Sequence, residues 1–369
     1  MQRVTRTRLA GLIAVAALLP LVSCGSETTE TAGPATTSAS VVSVVPEAGA
    51  PRVTGTIASG LDTAWGIAFL PGGSALVTER DTGRVLEITD GTCREVGRVE
   101  DTLAQGESGL LGIAVSPGFA TDRQVFLYAT TADDNRVLRA TFDGETLSEP
   151  EVILDGIPAG RIHDGGRMIV GPDGMLYVAT GEAGDRDLAQ DPDSLGGKIL
   201  RITADGDPAP GNPDPASPVF SLGHRNVQGL AFDDAGRLWA SEFGQNDVDE
   251  LNLVTAGANH GWPEVEGTGG GNEFVDPVLT WPVAQASPSG LAWAEGSLWM
   301  AGLRGERLWR IDIGDDGVAT ASDFLRGEYG RLRTVVAAPD GSLWLTTSNR
   351  DGRGEPAGDD DRILRVEIS

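Results

Sequence analysis

GRMIVGPDGMLYVAT, Gly166 to Thr180, is a pair of short apolar runs joined by Gly171-Pro172-Asp173-Gly174, and GKILRIT follows at Gly197 to Thr203. Each run is too short for a helix, and Pro-Asp-Gly supplies the positive φ at which a chain reverses into a hairpin. The same order of small residue, strand, turn and strand recurs along the chain. The other copies are GIAFLPGGSALVTE from Gly66, GIAVSPGFATDRQVFLYAT from Gly112, GLAFDDAGRLWASE from Gly229, GLAWAEGSLWMAG from Gly290 and TVVAAPDGSLWLTTS from Thr334. A further strand-like piece follows each: GRVLEIT, NRVLRATF, GKILRIT, DELNLV, ERLWRIDI and DRILRVEI. Small and large apolar residues alternate in them, which suits strands packed on both faces. Copies spaced by about 44 to 63 residues, each giving several antiparallel strands, predict an all-β fold, a six-bladed β-propeller. A solenoid fits less well, because the units lack helical periodicity and capping ends. Ring closure falls to the first strand, near Val53 to Ile57, which would pair with DRILRVEI and so cover an open edge.

Composition agrees: 51 glycines and 5% aromatics in 369 residues suit many short strands and tight turns. The reading is one folded domain over residues 51–369. Before it, MQRVTRTRLAGLIAVAALLPLVSCGS has a basic start, an apolar run from Leu9 to Val22 and small residues ahead of Cys24. The run is short for a membrane span and matches a secretory signal over residues 1–23. LVSC followed by Gly resembles the bacterial lipobox, which implies lipidation of Cys24 and leaves Cys93 without a disulfide partner. Residues 24–50, rich in Ser, Thr, Ala, Pro and Val, bury too little apolar surface to order themselves and read as a tether. The expectation is an exported protein on the outer face of the cytoplasmic membrane, held there by its lipid alone. A formal charge of −26 excludes the basic stripe that nucleic acid requires.

In a propeller the loops at one rim converge on the central channel, so residues distant in sequence meet there. The loops that break the regular pattern are GESGLLG around Glu107, RIHDGG around His163, GEAGDRD from Gly181, GHRNVQG from Gly223, SEFGQNDVDELN from Ser241, GLRGER from Gly302 and GRLRT from Gly330. Arg225, Arg304, Arg331 and Arg333 each stand beside a blade strand, at what read as equivalent blade junctions. Pointing inward, they would form a cationic cup whose forked donors match carboxylates. Pointing outward, they would be ordinary surface salt bridges. The acidic turn DVDE lacks the oxygen spacing of an EF-hand, so by itself it is a weak metal signal.

From about Trp65 to the C-terminus the chain resembles the soluble pyrroloquinoline quinone (PQQ)-dependent aldose and glucose dehydrogenases. The resemblance rests on WGIAFLPGG, GESGLLGIAVSPGFA, RIHDGGRMIVGPDGMLY, GHRNVQGLAF, SEFGQNDVDELNLVTAGANHGWP and RLRTVVAAPDGSLW, in this order. It implies that His163 is the general base for the anomeric hydroxyl of an aldose, a task that suits imidazole. It implies that Arg225 polarises the quinone carbonyls, with Asn226 a cofactor contact and Asp249 beside the histidine, orienting it. Arg331 and Arg333 match the pair that holds the cofactor carboxylates, and Arg304 stands where a lysine is familiar. The family binds calcium, a hard cation that takes oxygen ligands. The carbonyls of Gly244 and Gln245 match its site at the cofactor, and Glu250 with the carbonyl of His260 matches a second, structural site.

Some positions depart from the best-studied branch. Glu107 and Asp187, at cofactor-contacting positions, replace amides, Ile162 replaces an aspartate before the histidine, and Gln245 replaces a proline in the metal loop. The expectation is a PQQ- and calcium-dependent oxidation of the aldose C1 hydroxyl to a lactone. No haem-attachment CxxCH is present, so the electrons would pass to an external acceptor. Two alternatives stay open: a non-catalytic surface propeller that binds sugars or proteins, and a calcium-dependent lactonase with side-chain ligands converging on the ion.

Overall fold

The computed structural model describes residues 50–314 and 317–368. The expected signal, Cys24 and the expected tether up to residue 49 lie outside them. The described strands form six four-stranded antiparallel sheets. The first blade is Ala64–Phe69, Ala75–Glu79, Arg84–Thr89 and Thr92–Arg98, and the second is Leu110–Val115, Gln124–Thr130, Asn135–Thr141 and Glu151–Ile157. The third is Met168–Val170, Leu176–Ala179, Lys198–Ile202 and Val219–Leu222, and the fourth is Val227–Phe232, Leu238–Glu242, Val248–Val254 and Leu279–Pro282. The fifth is Pro288–Ala294, Ser297–Gly302, Arg307–Ile313 and Ala319–Phe324. The sixth takes Leu332–Ala337, Leu343–Thr347 and Ile363–Glu367 from one end of the domain and Arg52–Ala58 from the other. That last pairing, antiparallel with Arg52 opposite Glu367 and Ala58 opposite Ile363, is the expected ring closure.

Period-two patterning builds the core. Along Gln124–Thr130, Val125, Leu127 and Ala129 pack toward the first blade while Phe126 and Tyr128 pack toward the third. Every wedge between neighbouring blades is filled this way, six apolar clusters in all. The small residue opening the repeats has a packing reason. A Cβ on Gly66 would press on the Leu111 carbonyl of the next blade, and one on Gly112 or Gly229 would overlap the carbonyl of Gly166 or Ser289. Thr334 takes this position in the sixth blade and donates its hydroxyl to the Trp65 carbonyl of the first.

Antiparallel order fixes which loops share a rim. The turns at Pro71-Gly72-Gly73, Pro172-Asp173-Gly174 and Pro339-Asp340-Gly341 join first to second strands and lie at one end. The connections between blades and the loops from second to third strands lie at the other, and these are the irregular, polar loops. Cys93 is exposed and free.

Candidate active site

The polar rim encloses a cavity of about 440 Å3 lined by Glu107, His163, Arg225, Asn226, Gly244, Gln245, Asp249, Arg304 and Arg331, together with Arg353 and Ser287. Most residues singled out in the sequence therefore meet in one place.

His163 sits on the connection into the third blade with φ 61°, a left-handed conformation uncommon outside glycine. Its backbone N–H donates to Glu107 at 3.1 Å and its carbonyl accepts the N–H of Ala183 at 3.0 Å. Its ring Nδ1 lies 2.6 Å from Oε1 of Glu182, whose other oxygen accepts the Gly184 N–H at 2.6 Å. A carboxylate accepts only, so Nδ1 carries a proton, and in the neutral ring the lone pair is then on Nε2. The side chain of Glu182 is 3% exposed, and its N–H donates to the Arg225 carbonyl at 3.0 Å, which ties three loops together. This close approach needs Gly181, where a Cβ would overlap the His163 carbonyl.

Glu182, not Asp249, thus orients the histidine. Asp249 lines the same cavity but is spent on the backbone: Oδ1 accepts the Gly244 N–H at 3.0 Å and Oδ2 the Ser287 N–H at 2.6 Å. Burial raises its pKa to about 6, against those two hydrogen bonds and Arg225. Glu182 lies in the polar loop from Gly181, but its neighbour Asp187 lies outside the cavity. Asp185 caps a short 3-10 turn, Arg186–Ala189, and that turn carries Asp187 to the exposed surface.

Arg225 has its guanidinium over the Trp262 ring, 5.4 Å from the centroid, and donates from Nη1 to the Phe243 carbonyl at 3.2 Å. Its Nε is buried without a partner, and burial lowers the guanidinium pKa. Asn226 accepts the Gly165 N–H at 3.1 Å, and its amide lies 3.5 Å from Glu107. Burial works against the charged form of Glu107, yet the His163 N–H and Arg353 hold its pKa below the ordinary value. Arg353, which the sequence reading missed, donates to Glu107 at 2.9 Å.

The cationic cup is real but partly neutralised. Asp351, 2% exposed at its side chain, pairs with Arg331 at 2.9 Å and with Arg333 at 3.2 Å. Arg333 lies deeper, lining a small adjoining space with Arg80 and Gln228, and burial with nearby Arg80 pulls it down to about 10. Arg304 is exposed at the rim and has no acidic partner among the described residues. It is not at a blade junction like the other three. It stands on the loop between the second and third strands of the fifth blade, which opens on the same rim. Guanidiniums still outnumber carboxylates around the cavity.

Among the described residues, no group of three or more His, Cys, Asp and Glu side chains could hold a metal ion. Oxygen donors are available from the backbone instead. The carbonyls of Gly244 and Gln245 accept no hydrogen bond from the described residues, while the N–H groups of Gln245, Asn246, Asp247 and Val248 all converge on Oε1 of Glu266 at 2.7 to 3.3 Å. This donor set fits a hard cation at the cavity wall. Glu250 and His260 do not line the cavity. They belong to a buried cluster in which Glu250 accepts from Gly267 at 2.7 Å and Asn252 at 3.1 Å, and the His224 and His260 rings stack at 4.7 Å. Asn252 Oδ1 and both ring nitrogens of His260 are buried there without partners. Burial and then Glu242 raise the Glu250 pKa, while burial lowers that of His260 to about 3. An unpartnered amide oxygen beside a carboxylate held up by burial also fits a bound cation.

The family model for glucose/sorbosone dehydrogenases matches residues 61–364. The chain belongs to the glucose/sorbosone dehydrogenase family. Among solved structures, this dehydrogenase-family chain is similar to the PQQ-bound aldose sugar dehydrogenase of Streptomyces coelicolor. The two are 56% identical with a TM-score of 0.85, over 87% of this chain and 98% of the other. It is 28% identical to the aldose sugar dehydrogenase YliI of Escherichia coli, over 79% of this chain and 89% of that one. It is 32% identical to quinoprotein glucose dehydrogenase B of Acinetobacter calcoaceticus, over 57% of this chain and 52% of that one.

Proposed function

We propose that the protein oxidises the C1 hydroxyl of aldose sugars to lactones with PQQ and calcium, passing the electrons to an external acceptor. The single observation that carries the reading is the His163–Glu182 pair, opening into a cavity where the Nε of Arg225 is buried without a partner. Four guanidiniums, those of Arg225, Arg304, Arg331 and Arg353, line this cavity against the carboxylates of Glu107 and Asp249, which suits an anionic ligand.

In this reading Arg225, Asn226, Arg304, Arg331 and Arg333 hold the quinone, and the carbonyls of Gly244 and Gln245 hold calcium beside it. When bound, the quinone supplies an acceptor for the hydride from C1. Nε2 of His163 takes the proton of the C1 hydroxyl, and Glu182 keeps the ring in the required tautomer and stabilises the imidazolium that results. Asp249 braces the Gly244 end of the metal loop. Glu250, Asn252 and the carbonyl of His260 would hold the second calcium, as a structural ion. Export and anchoring through Cys24 belong to the same proposal, supported by the sequence before residue 51.

The test adds PQQ and calcium to purified apoprotein and follows dye reduction with several aldoses. Reduction that disappears in His163→Ala, with quinone binding kept, supports the reading. Failure to bind PQQ at about micromolar concentration, the range of an ordinary cofactor affinity, would favour a surface-binding propeller.

A further inference from the structure

The innermost strand of each blade is an edge strand, paired on one side only. Such edges leave backbone N–H and C=O groups without ladder partners. Opposite the His163 cavity, at the other mouth of the channel, the inner strands enclose a well of about 300 Å3. All six contribute to it, through Ala68, Ala114, Met168, Leu230, Leu291 and Val335 among others. It shares no lining residue with the His163 cavity.

One charged side chain, Arg167, lines this well. Its guanidinium lies over the Trp65 ring at 4.2 Å from the centroid, with Nε donating to the Gln228 carbonyl at 2.8 Å and Nη2 to the Thr334 hydroxyl at 3.1 Å. The residue is 8% exposed, and Nη1 has no partner among the described residues. Among the described residues no carboxylate pairs with it, although the chain carries 54 acidic residues against 28 basic ones. Burial, and then the neighbouring Arg333, pull its pKa down to about 9. A buried charge without a counter-charge is expensive, so acidic chains spend their carboxylates on such groups first. Asp351 does so for Arg331 and Arg333, and no described carboxylate does so for Arg167.

We propose that this well is a second ligand site, taking a small, singly charged carboxylate onto Arg167 from the face away from the substrate cavity. A planar fork of N–H donors matches a carboxylate, and one guanidinium balances one negative charge. Unpaired N–H groups on the strand edges supply further donors. A phosphate dianion would be left half compensated by one guanidinium.

The experiment follows thermal unfolding and tryptophan emission of the apoprotein as acetate is added to about 100 mM, well above a dissociation constant of order 1 mM. A bulky sulfonate salt holds ionic strength constant. The expected result is a saturable rise in Tm with a parallel change in emission, since Trp65 stacks on the guanidinium, and the loss of both in Arg167→Met. The absence of saturation, or an equal response in Arg167→Met, overturns the proposal. A phosphate response as large as that to acetate overturns the choice of a singly charged ligand. Should Arg167→Met fail to fold, Arg167→Lys replaces it, keeping the charge but losing the fork. A loss of affinity of about tenfold or more then supports the site, and unchanged affinity overturns it.

Discussion

Glu182 holds the ring Nδ1 of His163 at 2.6 Å although the two lie 19 residues apart, on separate loops of one blade. The connection entering the blade carries the histidine, and the loop between its second and third strands carries the carboxylate that holds its ring. Glu182 is buried and the His163 side chain is 12% exposed, so the ring is anchored at Nδ1 while the residue still reaches the cavity.

The first prediction concerns that contact. Glu182→Gln keeps the shape but removes the charge that would stabilise an imidazolium at His163 in the proposed reaction. The turnover number should fall by about 100-fold or more, with quinone affinity unchanged. Stopped-flow dye reduction together with a PQQ titration separates the two. An unchanged turnover would show that Glu182 only packs.

Cofactor binding supplies the second. Removing both guanidiniums in Arg331→Ala/Arg333→Ala should weaken PQQ binding by about 100-fold or more, because buried charge-assisted contacts are the strong ones. The loss should be partial in Asp351→Asn, which leaves both arginines in place but unclamped. Fluorescence or calorimetric titration of apoprotein checks it. Equal affinity in the double variant would mean the arginines do not face the quinone.

A third follows from close packing. Gly181→Ala places a methyl group on the His163 carbonyl, between two loops tied by hydrogen bonds. The backbone has to shift, at a cost of about 2 kcal/mol or more, and the histidine moves with it. Urea denaturation should show a lower midpoint, and turnover should fall more than PQQ affinity.

The fourth is a pH dependence. Asp361 is fully buried, with Oδ2 lacking a partner, and burial raises its pKa from 3.8 to about 6. The folded state therefore holds a proton that the unfolded chain releases earlier. Its stabilisation is complete below about pH 4 and is lost as pH rises through about 6. In Asp361→Asn, an uncharged amide of the same shape, that loss should vanish, a difference between the two proteins of about 1–3 kcal/mol across the window. Denaturation midpoints at pH 4 and pH 7 in both proteins measure it, and parallel profiles would contradict the assignment.

How far the chain could be read in advance follows from the range of the forces involved. The blades were legible because strand periodicity and turn chemistry are local, and Arg52–Ala58 was legible as the closing strand because an open edge needs a partner. His163, Arg225 and Arg331 were found because they belong to irregular loops on one rim. The contacts among them were not. Glu182 and Asp187 lie in one acidic loop, and only a one-turn 3-10 segment decides that the first faces in and the second out. Asp249 was misread as the partner of the histidine because its backbone partners, Gly244 and Ser287, meet it only in the folded sheet. Asp351 and Arg353 gave no local signal, since they act on Arg331, Arg333 and Glu107, up to 246 residues away.

The sheet that joins Ile363–Glu367 to Arg52–Ala58 sets a timetable for synthesis. Five blades can hydrogen-bond as they emerge, but the circle stays broken until Ile363–Glu367 has left the ribosome. Removing Ile363–Glu367 would therefore unlatch the whole annulus instead of trimming its edge.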